Sequence, residues 1–237
     1  MWAAVEMGKK LNKLQGTLAG DKALIMGNGP SLAGLNLDLL EGSGLTSFAT
    51  NRISLIYNKT SWRPDFYVCF AQLPLHHEEW RQSLRSATQE YKTTCFVHNK
   101  FSSFLEVSDN TTFVKNVHEH DRHSTVPSGL FSISPEDKFL KSFTSTVPLI
   151  QLCLYMGAKK IAIIGQDGYD LSRKENHFSK DYGFDPGSFE KTNRRFNAVH
   201  NVLKKHVEEN DIQVYNLSQI SILEHYPKIT LEQFLEE

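Results

Sequence analysis

The stretch KALIMGNGPSLAG, residues 22–34, decides the fold. Leu24, Ile25 and Met26 form an apolar run too short for a helix but suited to a buried strand. Gly27-Asn28-Gly29-Pro30-Ser31 ends it, because glycine and proline punctuate a sheet. Ser31 is a candidate cap for a short following helix, SLAGLNLDLL. The reading is strand, tight turn, helix start. Open α/β sheets place a phosphate or ribose against free backbone N–H groups at such a point. The same turn also serves proteins with no nucleotide, and it is neither GxGxxG nor a P-loop.

Working outward, short β-rich runs (ALIMG, LTSFAT, DFYVCFA, TTCFVH, TTFVKNV, KIAIIGQD, IQVYNL) alternate with helical patterns such as HHEEWRQSLRSATQ and FEKTNRRFNAVHNVLKKHVEEN. That alternation predicts an α/β, Rossmann-like, mostly parallel sheet with helices on both faces. The unit from Thr144 to Asp167 is the clearest. Ser145 or Thr146 caps, Pro148 sits in the first helical turn, Gly157 closes the helix, and KKIAIIG enters the sheet. With no repeat and no low-complexity linker, residues 1–237 read as one domain, carrying a candidate lid over 172–187.

The bulk properties narrow the function. Hydrophobic content of 40% and charged content of 22% are ordinary for a globular chain. A net charge of −1 does not favour a nucleic-acid partner. Cys69, Cys95 and Cys153 lie in apolar runs without CxxC spacing, which suggests buried thiols and a cytoplasmic location. No apolar run has the length of a membrane span, and the N-terminus lacks a signal-peptide core. Trp2, Val5, Leu11, Leu14 and Leu18 instead predict an amphipathic helix packed on the domain, the weaker alternative being membrane-surface contact through Lys9, Lys10 and Lys13. Oligomeric state is left open.

Ligands of open α/β sheets bind beyond the carboxyl ends of the strands. One such end carries Asn51, able to read a base edge or sugar hydroxyl, or simply to cap a turn. Another carries Gln166, Asp167, Gly168, Tyr169 and Asp170, suited to a sugar, a phosphate or a metal ion. Thr144, Ser145 and Thr146 stand at a helix start, a natural phosphate seat. His118, His120 and His123 have the spacing of a metal cluster but fit equally well as surface histidines, as does the His76–His77 pair. His177 lies among aromatic residues in the candidate lid, and its ordinary pKa near neutrality suits a general base. Packing of its ring inside a loop is the competing account.

IMGNGPSL, FATN and TSTVPLIQLCLYMGAKKIAIIGQDGY occur in an order that resembles the bacterial lipooligosaccharide sialyltransferases. The same order resembles the 6-hydroxymethylpterin diphosphokinase MptE-like superfamily, which includes motility accessory factors. Residues 165–203 and VYNLSQISILEHYPKI look closer to this second group. The resemblance spans most of residues 22–229 and implies a Rossmann-like domain holding a nucleotide-activated donor. It carries Asn28, Gly29, Ser31, Asn51 and Ser145 over as nucleotide-binding residues, and Tyr169 as a donor-phosphate ligand. Gly27, Pro30, Thr144, Thr146, Gln166 and Tyr182 complete the expected donor set. Where those sialyltransferases place a catalytic histidine before the last long helix, this chain has Ser188 and Phe189.

The expectation is a glycosyltransferase moving a sialic-acid-like sugar from a CMP-linked donor to a glycan or small-molecule acceptor, with no tightly bound cofactor. His177 would take the acceptor proton, with Asp167 and Tyr169 beside it, and Tyr169 and the Thr144–Thr146 hydroxyls would steady the leaving phosphate. The alternative is a diphosphokinase using ATP, with Mg²⁺ held by Asp167 and Asp170. A nucleotide-binding module without chemistry is the third reading.

Overall fold

The computed structural model describes residues 2–106, 108–118, 125–141, 144–170, 172–183 and 187–237, with backbone alone for 2–6. The strands are β1 (Lys22–Met26), β2 (Thr46–Thr50), β3 (Phe66–Cys69), β4 (Thr94–His98), β5 (Thr111–Val114), β6 (Val117–His118), β7 (Phe139–Leu140), β8 (Lys160–Ile164) and β9 (Gln213–Asn216). The helices are α1 (Trp2–Asn12), α2 (Glu78–Thr88), α3 (Val147–Tyr155), α4 (Phe189–Glu209) and α5 (Leu231–Glu236). Among the described residues one seven-stranded sheet runs β5-β4-β3-β2-β1-β8-β9, and each of its pairings is parallel. The α/β, Rossmann-like expectation therefore holds.

Side chains alternate across the sheet, so each strand feeds two cores. Ile25, Phe48, Val68, Phe96 and Ile163 face α1, α3 and α4, whereas Leu24, Met26, Ala49, Tyr67 and Val97 face α2 and α5. This is why the strands read as continuous apolar runs: both faces of a parallel sheet are covered. Each such aliphatic side chain, fully buried, contributes about 1.5–3 kcal/mol. α1 spends its apolar face on the same core through Met7 and Leu11, with Leu18 just beyond it, and Lys10 Nζ reaches Asp109 O at 3.0 Å. The side chains of Trp2 and Val5 lie outside the described part. The three cysteines are buried free thiols. Among the described residues no helix is long and apolar enough to cross a membrane.

Three local expectations need correcting. SLAGLNLDLL forms two short 3₁₀ turns, Pro30–Gly34 and Leu37–Leu40, rather than one helix. The Asn36 side chain accepts from Asp38 N–H at 3.2 Å, a local turn that interrupts helical propagation while Leu32, Leu37 and Leu40 still reach the core. TTFVKNV breaks after β5, and its second half, β6, leaves the sheet to pair with β7. Exposed His118 lies in β6, whereas His120 and His123 lie outside the described residues. Finally, Thr146 is the N-cap of α3, but its hydroxyl makes no capping bond, lying 2.9 Å from Thr144 Oγ1 instead. Pro148 does sit in the first turn, and Gly157 closes the helix at φ +90°.

Candidate active site

Strand order reverses between β1 and β8, the place where such sheets open a crevice. The segments that follow β1 and β8 stay paired past the sheet: Gly27 N–H donates to Ile164 O and Gly29 N–H to Gly165 O, both at 2.8 Å. A Cβ on Gly27 would lie 2.8 Å from the Gly165 carbonyl carbon, so only glycine permits this approach. Ser31 then ties the turn across, its N–H and Oγ donating to the Asp167 carboxylate at 2.8 and 2.7 Å, while Gly165 N–H donates to Ser31 Oγ at 3.1 Å.

Beyond this brace lies a cleft of ≈ 520 Å³. Gly27, Asn28, Gly29, Asn51, Thr144, Ser145, Thr146, Gln166, Asp167, Tyr169, His177 and Tyr182 all line it. Pro30, Ser31 and Asp170 do not. Ser31 faces inward onto Asp167, so its hydroxyl braces the turn. Asp170 accepts from Ser172 N–H and Oγ and pairs with Arg173 at 3.4 Å, and these partners hold its carboxyl below the usual range. Asp167 and Asp170 are thus each committed to protein partners rather than turned together toward a metal. Among the described residues no group of three or more His, Cys, Asp or Glu side chains is placed to hold one.

Each wall of the cleft is set by a traceable contact. Asn28, 6% exposed, donates through Nδ2 to Thr50 O at 3.1 Å, and its own carbonyl accepts from Phe178 N–H at 3.1 Å. Its Oδ1 is buried with no partner among the described residues. Asn51 closes β2 at φ +54°, a conformation asparagine tolerates better than most residues, and its carbonyl accepts from Tyr67 Oη at 2.6 Å. Gln166 Oε1 lies 2.9 Å from His200 Nε2, and Gln166 Nε2 is buried without a partner among the described residues. Buried polar atoms left unpaired inside a cleft suit a ligand that would pair them.

Tyr169 is clamped by α4, its N–H donating to Asn193 Oδ1 at 2.8 Å and its carbonyl accepting from Asn193 Nδ2 at 2.7 Å. Its hydroxyl lies 3.3 Å from His177 Nε2, and the His177 ring stacks on Tyr182 with centroids 3.9 Å apart. Burial lowers the His177 pKa to about 4, so the ring is neutral near neutral pH, not half-protonated as its ordinary value suggests. Tyr182 is held by Arg52, a buried guanidinium after β2, and by an edge contact with Trp80 at 5.3 Å. Lys141 and Arg195 add positive charge to the cleft wall.

Sequence reasoning missed Arg52, Trp80, Asn193 and His200. The signal for the last two was available: Asn193 and His200 share the apolar face of α4 with Phe196 and Leu203, where unpatterned polar residues are unexpected.

No protein-family model matches the chain, and no curated protein matches it. Among solved structures, the chain is similar to the sialyltransferase CST-II in complex with a trisaccharide acceptor and CMP, at 16% identity and TM-score 0.51, covering 89% of this chain and 86% of that one. It is also similar to CstII from Campylobacter jejuni in complex with cytidine-5'-monophosphate, at 16% identity and TM-score 0.50, covering 88% and 84%. At this identity the likeness is one of fold: this chain and those sialyltransferases share the α/β architecture.

Proposed function

We propose that this protein is a glycosyltransferase that moves a sialic-acid-like sugar from a CMP-linked donor to a glycan or small-molecule acceptor. The observation that carries the reading is that Asn28 and Gln166, two residues lining the cleft where strand order reverses, each hold a buried side-chain amide atom, Oδ1 and Nε2, with no partner among the described residues. The fold shared with proteins described as sialyltransferases in complex with CMP supports the same class.

In this reading the acceptor hydroxyl gives its proton to the neutral imidazole of His177. Its oxygen attacks the anomeric carbon, and the bond from that carbon to the phosphate oxygen breaks. Charge gathers on the departing phosphate, where the Tyr169 hydroxyl, the Thr144–Thr146 hydroxyls and the N-terminus of α3 supply donors and positive potential. His177 then replaces the histidine that the resemblance places at Ser188 or Phe189. The ATP-dependent diphosphokinase reading needs Asp167 and Asp170 to hold Mg²⁺. Their bonds to Ser31, Ser172 and Arg173 argue for the sugar donor instead.

Thermal shift against a nucleotide panel tests this. CMP at a hundred times its dissociation constant should stabilise the fold by about 2.7 kcal/mol. Transfer from CMP-sialic acid that persists in EDTA is the expected activity. Stabilisation by ATP with Mg²⁺ and none by CMP would replace this reading with the diphosphokinase.

A further inference from the structure

Behind the cleft wall lies a buried polar chain that the proposed chemistry does not use. His200 on α4 is fully buried, with Nε2 2.9 Å from Gln166 Oε1 and Nδ1 3.1 Å from Tyr226 Oη. An amide oxygen only accepts, so the proton in the first contact belongs to His200 Nε2. In a neutral ring Nδ1 then accepts from the Tyr226 hydroxyl, whose single hydrogen also faces the His200 carbonyl oxygen at 3.4 Å, and burial keeps the ring neutral by lowering its pKa to about 3. The Gln166 backbone is held as well, its carbonyl accepting from Ser221 Oγ at 2.7 Å. With Oε1 committed to His200, the Gln166 amide keeps only its Nε2 hydrogens, and that nitrogen is the buried atom without a partner among the described residues.

Asn28 is the mirror case just beyond β1. Its Nδ2 is committed to Thr50 O, which leaves the acceptor Oδ1. The adjacent ends of β1 and β8 thus carry one acceptor and one donor, each orientation fixed from behind.

We propose that His200 is a positioning residue that locks the Gln166 amide with Nε2 toward the ligand, so that the cleft selects a carbonyl or phosphoryl oxygen at that point and rejects a group that carries hydrogen. The ligand half of this inference rests on the nucleotide reading above; the orientation half does not. The opposite arrangement is chemically definite. A ring protonated at Nδ1 would accept from Gln166 Nε2, and Oε1 would then face the cleft.

Nitrogen-15 NMR of histidine-labelled protein near neutral pH decides the orientation without any ligand. Protonation at His200 Nε2 is expected, and protonation at Nδ1 overturns the proposal. Calorimetry with CMP then reads the consequence. Gln166→Glu keeps an acceptor for His200 but removes the donor, so affinity should fall at least about thirtyfold in a folded protein. His200→Leu should cost about tenfold or more, and His200→Gln, which restores a donor, should stay within about threefold of the wild type. Equal affinity in Gln166→Glu, or equal losses in His200→Leu and His200→Gln, overturns the positioning role. Repeating the Gln166→Glu titration with cytidine and with ribose 5-phosphate separates the two oxygen sources, because the loss follows whichever probe carries the contacted atom. Absence of CMP binding by the wild type would sink the donor reading, and the tautomer alone would then decide the orientation.

Discussion

Arg52 Nη1 donates to the carbonyl oxygen of Tyr182 at 2.6 Å. The same nitrogen reaches Asp181 O, while Nε donates to Ser83 Oγ at 3.0 Å on α2. A buried guanidinium thus ties the segment that stacks on His177 to a rigid helix, and it directly follows Asn51 at the end of β2. Arg52→Ala should strand two carbonyls and let the Tyr182–His177 pair shift, lowering turnover by about a hundredfold. Arg52→Lys should recover only part, since a single ammonium cannot span the same partners. Turnover measured beside limited proteolysis after Lys180 checks both effects. Full activity with an intact proteolytic pattern in Arg52→Ala would remove the clamp.

Asn28→Ala should weaken CMP binding about tenfold or more, because it deletes the buried acceptor Oδ1 that a ligand donor would pair. Calorimetry on protein with an unchanged circular dichroism spectrum is the measurement. Unchanged affinity would exclude Asn28 from the binding face.

Gly29→Val should be worse than Asn28→Ala. Gly29 has φ −72°, which any residue adopts, so positive φ is not what requires glycine there. Its Cβ would instead lie 2.8 Å from Gly165 O and press on the Asp167 carboxylate, breaking the Ser31 brace. The expected cost is about 1–3 kcal/mol of stability together with loss of binding. A normal melting temperature would contradict this packing.

The pH dependence separates base from fold. The His177 imidazole is depressed to about 4, so its proton-accepting form persists above that value and is lost as pH falls through it. The acidic limb of kcat/KM should therefore lie near pH 4 rather than near 6.5. Stability behaves differently, because the unfolded ring binds a proton near 6.5. It should decline with acid from that point, through His177 and then His200 at about 3. His177→Asn should lower kcat by about a hundredfold and flatten the limb. Full specific activity in that variant would move the base elsewhere.

The sheet was legible because its signals are local: apolar runs, a Gly-Asn-Gly break, a Pro-to-Gly frame around α3. Most of the cleft followed from the same strand ends. The role of Ser31 was not legible, because its partner Asp167 lies 136 residues away and a serine after a glycine turn looks the same whether it meets ligand or protein. His177 was legible as a residue of the cleft wall, but its depressed pKa was not, since burial against the Tyr182 ring is a tertiary property. His200 stands out as a polar residue on the apolar face of α4, but its partners Tyr226 and Gln166 lie 26 and 34 residues away, so its role was not legible.

The pairing of β1 with β8 also constrains how the molecule is built. Ile25 neighbours Ile163 in the sheet, so the central strand lacks one partner until the chain through residue 164 is available. Such distant pairing carries a large loop-closure cost and slows folding. Before β8 arrives, the free edge of β1 is an apolar template open to other chains. Refolding should then show early recovery of the β1–β5 half, late recovery of nucleotide binding, and a yield that falls as protein concentration rises.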